Sequence, residues 1–226
     1  MKPVIESIEI SDIKIMDKVQ AKLFQTGIAL SAATILFNIV EGIVSIYYGY
    51  SDKALTLFGF GFDSIIEAVS AIGIFVMIKR IMRNPNSQRN NAEILALKIT
   101  GTGFYFLSAG LIISSILNAY LGKTPETTVS GIIISVVSMS VMYILMKLKI
   151  STGTKLNCQP ILSDANCTKV CIYMSLVLLT ASLIFKVTGF RYIDSIGALG
   201  IVYFSFKEGK EAFEKAEGIE HCDCDK

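Results

Sequence analysis

Two pairs of potential metal ligands lie in stretches of the sequence that are otherwise almost entirely apolar. Asp63 and Glu67 form the first pair, and Cys167 and Cys171 form the second. The members of each pair are four positions apart, so on an α-helix both side chains project from one face, one turn apart. Carboxylates and thiolates that face each other would suit a soft or borderline divalent cation.

The composition indicates that these ligands lie inside membrane-spanning helices. Of the 226 residues, 52% are hydrophobic and 18% are charged, and the mean hydropathy is +0.57. A helix needs about 20 apolar residues to cross the hydrocarbon core of a bilayer. Runs of about this length predict an all-α membrane protein, a six-helix transmembrane bundle, with spans near residues 22–49, 54–78, 95–121, 129–148, 164–187 and 192–207.

Acidic residues at membrane depth indicate a functional site, because each costs about 2.5–3.5 kcal/mol even on lenient insertion scales. Asn38 and Glu41 belong to a polar stripe on the first span and are candidates for an ion pathway. The alternative for such a stripe is hydrogen bonding between helices, which is common in membrane bundles. Gly59 and Gly61 precede the first ligand pair, and small residues there favour close helix packing.

The fifth and sixth spans carry further acids near their starts. Asp164 shares a helical face with Cys167 and Cys171, which makes it a fifth candidate metal ligand. It is also placed where a residue could cap the helix N-terminus, and cysteines in apolar helices often serve only as small packing residues. Asp194 either caps the sixth helix or lines an exit path for an ion.

Basic residues set the predicted orientation. They cluster after the second and fourth spans: Lys79, Arg80, Arg83 and Arg89, then Lys147, Lys149 and Lys155. The positive-inside rule places these loops, and with them both termini, in the cytoplasm. We therefore expect a multi-pass protein of the plasma (inner) membrane. Its predicted parts are a cytoplasmic N-terminal segment (1–21), the transmembrane domain (22–207) and a charged cytoplasmic tail (208–226).

The two ends of the chain carry weaker signals. Residues 1–20 mix acidic and basic residues unlike a signal peptide, and they predict either a helix on the membrane surface or a frayed arm. The tail contains His221, Cys222 and Cys224, which could trap a metal weakly or belong to a disordered terminus. A disulfide framework is not expected from five cysteines that lie in the membrane or in reducing cytoplasm.

Several stretches together resemble the cation diffusion facilitators, which are six-span exporters of divalent metals. They are NIVEG at 38–42, GFGFDSIIEAVSAI at 59–72, SDANCTKVCIYMSLVLL at 163–179, and YIDSIGALGI followed by KEGKEAF. The resemblance runs in order over nearly the whole membrane region. It is to the small branch of the family that lacks the large cytoplasmic metal-binding domain.

The resemblance implies a transport site of four ligands, formed by one pair on the second span and another on the fifth. By position, Asp63 and Glu67 match the first pair, and Cys167 and Cys171 match the second. Asp164 matches an acid that precedes the second pair. The family's usual His and Asp on the fifth span are both Cys here, and one Asp on the second span is Glu. The family also implies a homodimer.

We therefore expect a secondary transporter that exports zinc-like divalent cations from the cytoplasm in exchange for protons. Zn²⁺ is the first expected cargo, with Cd²⁺ and Co²⁺ behind it. We expect no prosthetic group, no enzymatic activity and no nucleic acid partner; the partners are the metal ion, protons and membrane lipid. No nucleotide-binding motif of the type GxxxxGK[ST] occurs that would indicate ATP-driven pumping.

Two other classes of protein remain open from the sequence. The first is a metal sensor or regulatory subunit that has the same fold without transport. The second is a membrane dithiol oxidoreductase that uses Cys167 and Cys171. An oxidoreductase would need a cofactor site, and no motif for one is present.

Overall fold

The computed structural model describes residues 2–83, 91–121, 125, 129–156 and 158–218, with the backbone alone for residues 2–20, 82, 92, 93, 159, 160 and 163. This part of the chain forms six α-helices and no strand. Their bounds are α1 Lys2–Ser51, α2 Leu55–Arg83, α3 Asn91–Leu121, α4 Val129–Leu156, α5 Gln159–Thr188 and α6 Ile193–Glu217. The predicted all-α six-helix fold is thus confirmed.

Five helices are long and apolar enough to cross a membrane. These segments are Ala21–Ser51, Leu55–Ile81, Ile94–Leu121, Val129–Leu156 and Asp164–Thr188. α6 is less apolar than these five helices and is not among them, because Asp194 lies at one end of its apolar stretch and a charged run begins at Lys207. Its 25 residues nevertheless extend roughly 37 Å, which is long enough to cross a bilayer.

α2 occupies the centre of the bundle. It packs most extensively on α1 and also contacts α3, α5 and α6, while α3 pairs with α6 and α4 pairs with α5. The main apolar cluster joins α2 to α5 and α6 through Leu57, Phe60, Met174 and Ile201. Side chains on α2 therefore face other helices in most directions.

The outer surface of the bundle is apolar, and much of its interior is polar. Phe106 and Tyr203 are exposed to 76% and 67%, whereas Asn38, Asp63 and Ser175 are almost completely buried. This is the reverse of a water-soluble protein, where exposed apolar patches of this extent are rare. It suits a bundle that presents its outside to lipid and keeps its polar groups among themselves.

α1 and α2 approach so closely that a methyl group would not fit between them at two glycines. A Cβ atom on Gly61 would lie 2.7 Å from the backbone nitrogen of Ile46, and one on Gly49 would lie 2.4 Å from that of Phe58. The structure thus confirms close helix packing at Gly61. The Cβ of Gly59 would meet only the side chain of Leu111.

Some predicted boundaries differ from the helix ends. α4 continues to Leu156, so Lys149, which was predicted to lie in a cytoplasmic loop, is inside a helix. α1 begins at Lys2 and runs without a break into the first span, and α6 continues to Glu217. The division at residues 21 and 207 therefore falls within helices, and as a division into domains it stays a prediction.

We predict that Gly61→Ala destabilises the protein by about 1–3 kcal/mol, the range typical of overpacking, because the new methyl group would press on the backbone of α1. Thermal unfolding of the purified protein in detergent measures the effect. Gly110→Ala is the matched control, since a Cβ there has no atom within 4 Å. Alanine in place of a helical glycine should raise the stability of the control slightly. Equal melting temperatures of the two variants would contradict the close packing.

Candidate metal centre

The predicted ligands come from the facing sides of α2 and α5. Asp63 and Glu67 point inward from the central helix α2 and are only 1% and 7% exposed. Cys171 of α5 is equally buried, and Cys167, one turn earlier, is partly exposed. The helical spacing in the sequence thus brings both pairs into the interior of the bundle.

Glu67 and Cys171 are in direct contact. The Cys171 thiol donates a hydrogen bond to Glu67 Oε2 at 2.6 Å, and Asn38 Nδ2 of α1 approaches the same oxygen at 3.5 Å. Glu67 Oε1 and Asn38 Oδ1 are also buried, and neither has a hydrogen-bond partner among the described residues. Buried acceptors of this kind cost about 1–3 kcal/mol each. Two oxygens are therefore available here to a cation or to a proton donor.

Two more carboxylates lie close to Glu67. Asp63 Oδ1 accepts a hydrogen bond from Ser205 of α6 at 3.2 Å, and Glu41 Oε2 accepts one from Ser64 at 3.1 Å. Glu41 Oε1 has no partner in the described part of the chain. The three acids are near enough to interact electrostatically. In a medium of low dielectric constant they cannot all carry charge unless protons or a metal ion compensate them.

Asp164 has a cationic partner that the sequence analysis did not identify. Lys149 of α4 is completely buried, and its Nζ lies 2.9 Å from Asp164 Oδ2 and 2.8 Å from Thr168 Oγ1. The prediction of a loop position for Lys149 is wrong because α4 extends beyond its apolar run. Capping of α5 by Asp164 is also wrong, since the helix begins at Gln159.

A pocket beside these residues opens between five of the helices. Its lining comprises Thr34, Asn38, Glu67, Ser70, Ala71, Phe104, Asp164, Cys167, Thr168, Cys171 and Glu208. All three predicted α5 residues line it, together with Glu67 and the predicted pathway residue Asn38. The pocket also includes Glu208, which the sequence analysis assigned to a cytoplasmic tail. The sequence contains a pattern that could have predicted the burial of Glu208. Ala198, Ile201, Ser205 and Glu208 follow each other at intervals of three or four residues and so lie on one face of α6, the buried one.

Asp194 caps a helix, but a different helix from the one expected. Its two carboxylate oxygens accept hydrogen bonds from the backbone N–H groups of Leu55 at 2.7 Å and Thr56 at 3.0 Å, the first residues of α2. An acid at a helix N-terminus stabilises the unpaired N–H groups and the positive end of the helix dipole. Both oxygens are thus already engaged in a structural contact, and a role in the exit path stays a prediction.

The four predicted ligands do not close into a single tetrahedron in this structure. Within the described ranges, no three His, Cys, Asp or Glu side chains are close enough together to hold one metal ion. Glu67 contacts Cys171, Asp63 contacts α6, and the Sγ of Cys167 lies 3.6 Å from Nζ of Lys215. The predicted tail residues His221, Cys222 and Cys224 lie outside the described residues.

Comparison with known families yields one match that covers most of the chain. Residues 31–216 match the model of the cation efflux transmembrane domain. This region contains the polar residues of the site described above, from Thr34 on α1 to Lys215 on α6. A comparison with curated proteins found no match.

We predict that Lys149→Met destabilises the protein by about 3–5 kcal/mol, because it leaves the Asp164 carboxylate buried without a counter-charge. The matched control is Lys147→Met, two positions away on the exposed side of α4, which should change the stability by less than about 0.5 kcal/mol. Adding Asp164→Asn to Lys149→Met should recover most of the loss. Thermal unfolding in detergent tests this, and a Lys149→Met protein as stable as the control would show that the pair contributes little.

Proposed function

The chain belongs to the cation efflux family, and on this premise we propose that it exports a zinc-like divalent cation from the cytoplasm in exchange for protons. The observation that supports this most is the contact between the Glu67 carboxylate and the Cys171 thiol. It brings an oxygen and a sulfur donor from two different helices together in the membrane interior, beside unpartnered oxygens of Glu67 and Asn38.

The donor atoms favour particular metals. Mg²⁺, Ca²⁺ and Mn²⁺ prefer sites made only of oxygen, whereas thiolate ligands favour softer ions such as Zn²⁺ and Cd²⁺. A site that combines Asp63 and Glu67 with Cys167 and Cys171 offers two oxygen-donor and two sulfur-donor side chains. Zn²⁺ is therefore the proposed cargo, and Cd²⁺ and Co²⁺ are expected to follow the same route.

The same contact suggests how metal and protons exchange. In the structure the Cys171 thiol donates a hydrogen bond to Glu67, and a metal ion can bind the sulfur only when the thiol has lost its proton. Exporting a bare divalent ion against 100 mV would cost about 4.6 kcal/mol, at about 2.3 kcal/mol per charge. Two protons that return for each metal ion cancel this electrical cost, so we propose two protons per cycle.

Alternating access requires the helices that carry the ligands to move relative to each other. Polar contacts that join different helices around the site include those of Asn38 with Glu67, Ser205 with Asp63, and Lys149 with Asp164. We propose that some of them rearrange when the ligands close on the ion. The positive-inside pattern favours cytoplasmic termini. We also propose that the protein forms a homodimer and that it lies in the plasma (inner) membrane.

Zinc uptake into proteoliposomes under an imposed pH gradient tests the proposal. We predict that Asp63→Asn and Cys171→Ala each lower the rate of uptake by about tenfold or more, since even residues that only support metal ligands often cost 10–100-fold. Cys158→Ala is the matched control. Its thiol is also buried, but it packs against Ile74, Ile78 and Ile161 away from the site, so uptake should stay close to wild type.

The possible outcomes separate the classes of function. Loss of uptake in Asp63→Asn alone would support transport but assign Cys171 to packing. A wild-type protein that transports none of Zn²⁺, Cd²⁺ and Co²⁺ would overturn the exporter proposal. Metal binding without transport would then favour the sensor or regulatory subunit.

A further inference from the structure

We propose that Glu208 of α6 is a metal ligand and that, together with Cys167, it forms an entry site through which the cation reaches Asp63 and Glu67. This inference rests on the proposed function, because the cation that binds here is the transported one. The expected ligand is a soft or borderline divalent ion such as Zn²⁺ or Cd²⁺, because a site with both thiolate and carboxylate donors favours ions of this kind.

Glu208 differs from the other acids of its helix in where it points. Glu211 and Glu214 are partly exposed and pair with lysines on the same helix at 3.6–3.9 Å, as expected for a solvated helix face. Glu208 is only 6% exposed and lines the pocket that also contains Glu67 and Cys171. An acid buried in this way attracts positive charge, which Lys215 of the same helix and a cation in the pocket could both provide.

Cys167 of α5 shares the pocket with Glu208 of α6. Nζ of Lys215, also on α6, lies 3.6 Å from the Cys167 sulfur. A metal ion binds the deprotonated form of both the thiol and the carboxyl group. Cys167 thus faces α6, one helical turn from Cys171, which faces Glu67.

An independent observation points to a ligand in the same pocket. Asn38 Oδ1 and Glu67 Oε1 are both buried, and both lack a hydrogen-bond partner in the described part of the chain. With the Glu208 carboxylate and the Cys167 sulfur, they supply oxygen and sulfur donors around one pocket from α1, α2, α5 and α6. This is the mixed donor set that a zinc-like cation accepts.

α6 also links the entry site to the deeper ligands. Ser205 lies one turn before Glu208 on the same buried face, and its hydroxyl donates to Asp63. The buried face of α6 therefore connects the pocket that contains Glu208 and Cys167 with Asp63 on α2, and we propose that the cation passes along it. Stepwise transfer avoids a stage at which the ion has lost its water and has no ligands, which would be very costly in a medium of low dielectric constant.

Equilibrium binding of Cd²⁺ to the full-length protein in detergent, measured by isothermal titration calorimetry, tests the assignment. Cys222→Ser and Cys224→Ser are present in every sample, so that tail thiols do not compete. We predict that Glu208→Gln weakens Cd²⁺ binding by about tenfold or more and that Glu208→Asp, which keeps the carboxylate, weakens it less. Glu217→Gln, in the exposed last turn of the same helix, is the matched control and should bind as the parent protein does.

The inference is overturned if Glu208→Gln binds Cd²⁺ with the same affinity as Glu217→Gln. Asp63→Asn separates this failure from failure of the proposed function. If Asp63→Asn weakens binding and Glu208→Gln does not, the exporter proposal stands and the entry site is wrong. If the parent protein binds no Cd²⁺, both are wrong. Circular dichroism and thermal unfolding of each variant establish that a change in affinity reflects the ligand and not a loss of fold.

Discussion

Charge inside this bundle must be compensated by other groups of the bundle, because the surrounding lipid offers none. Each buried acid meets this constraint differently. Asp164 pairs with Lys149, Asp194 binds the N-terminal backbone of α2, and Asp63 accepts a serine hydroxyl. The compensation is incomplete at Glu67 and at Glu41: one oxygen of each accepts a hydrogen bond, from Cys171 and from Ser64, and the other has no partner among the described residues. Of the two, Glu67 also contacts a thiol, so a transported cation would find both an oxygen and a sulfur donor there.

The arrangement of the helices creates this incomplete site. α2 carries the acids at the centre of the bundle, and Gly61 lets α1 approach close enough for Asn38 to reach Glu67. α5 and α6 supply the sulfur and hydroxyl groups from the other sides. Around them the packing is apolar, so each polar contact is shielded from water and stronger than it would be at a surface. Closing the ligands on an ion would require small movements between helices that are already adjacent.

The sequence predicts what depends on one helix at a time. Spans and the inward direction of Asp63, Glu67, Cys167 and Cys171 follow from local hydropathy and helical spacing. Contacts between helices do not. Lys149 and Glu208 lie in charged stretches that local rules assign to a loop and a tail, and only the packing of α4 on α5 and of α6 on α3 buries them. Asp194 is predicted from the sequence to cap a helix. The helix that it caps is α2, because the start of α2 lies next to Asp194 in the folded bundle, and the residues around Asp194 in the sequence do not specify this contact.

The proposed function requires that carboxylate and thiolate ligands together bind the cation in the membrane interior. X-ray absorption at the zinc edge identifies these ligands, on purified protein with one equivalent of Zn²⁺ and with Cys222→Ser and Cys224→Ser to remove the tail thiols. We expect sulfur neighbours at about 2.3 Å together with oxygen neighbours at about 2.0–2.2 Å, and fewer sulfur neighbours in Cys171→Ala. Bound zinc with only oxygen or nitrogen neighbours would exclude the thiolates as ligands.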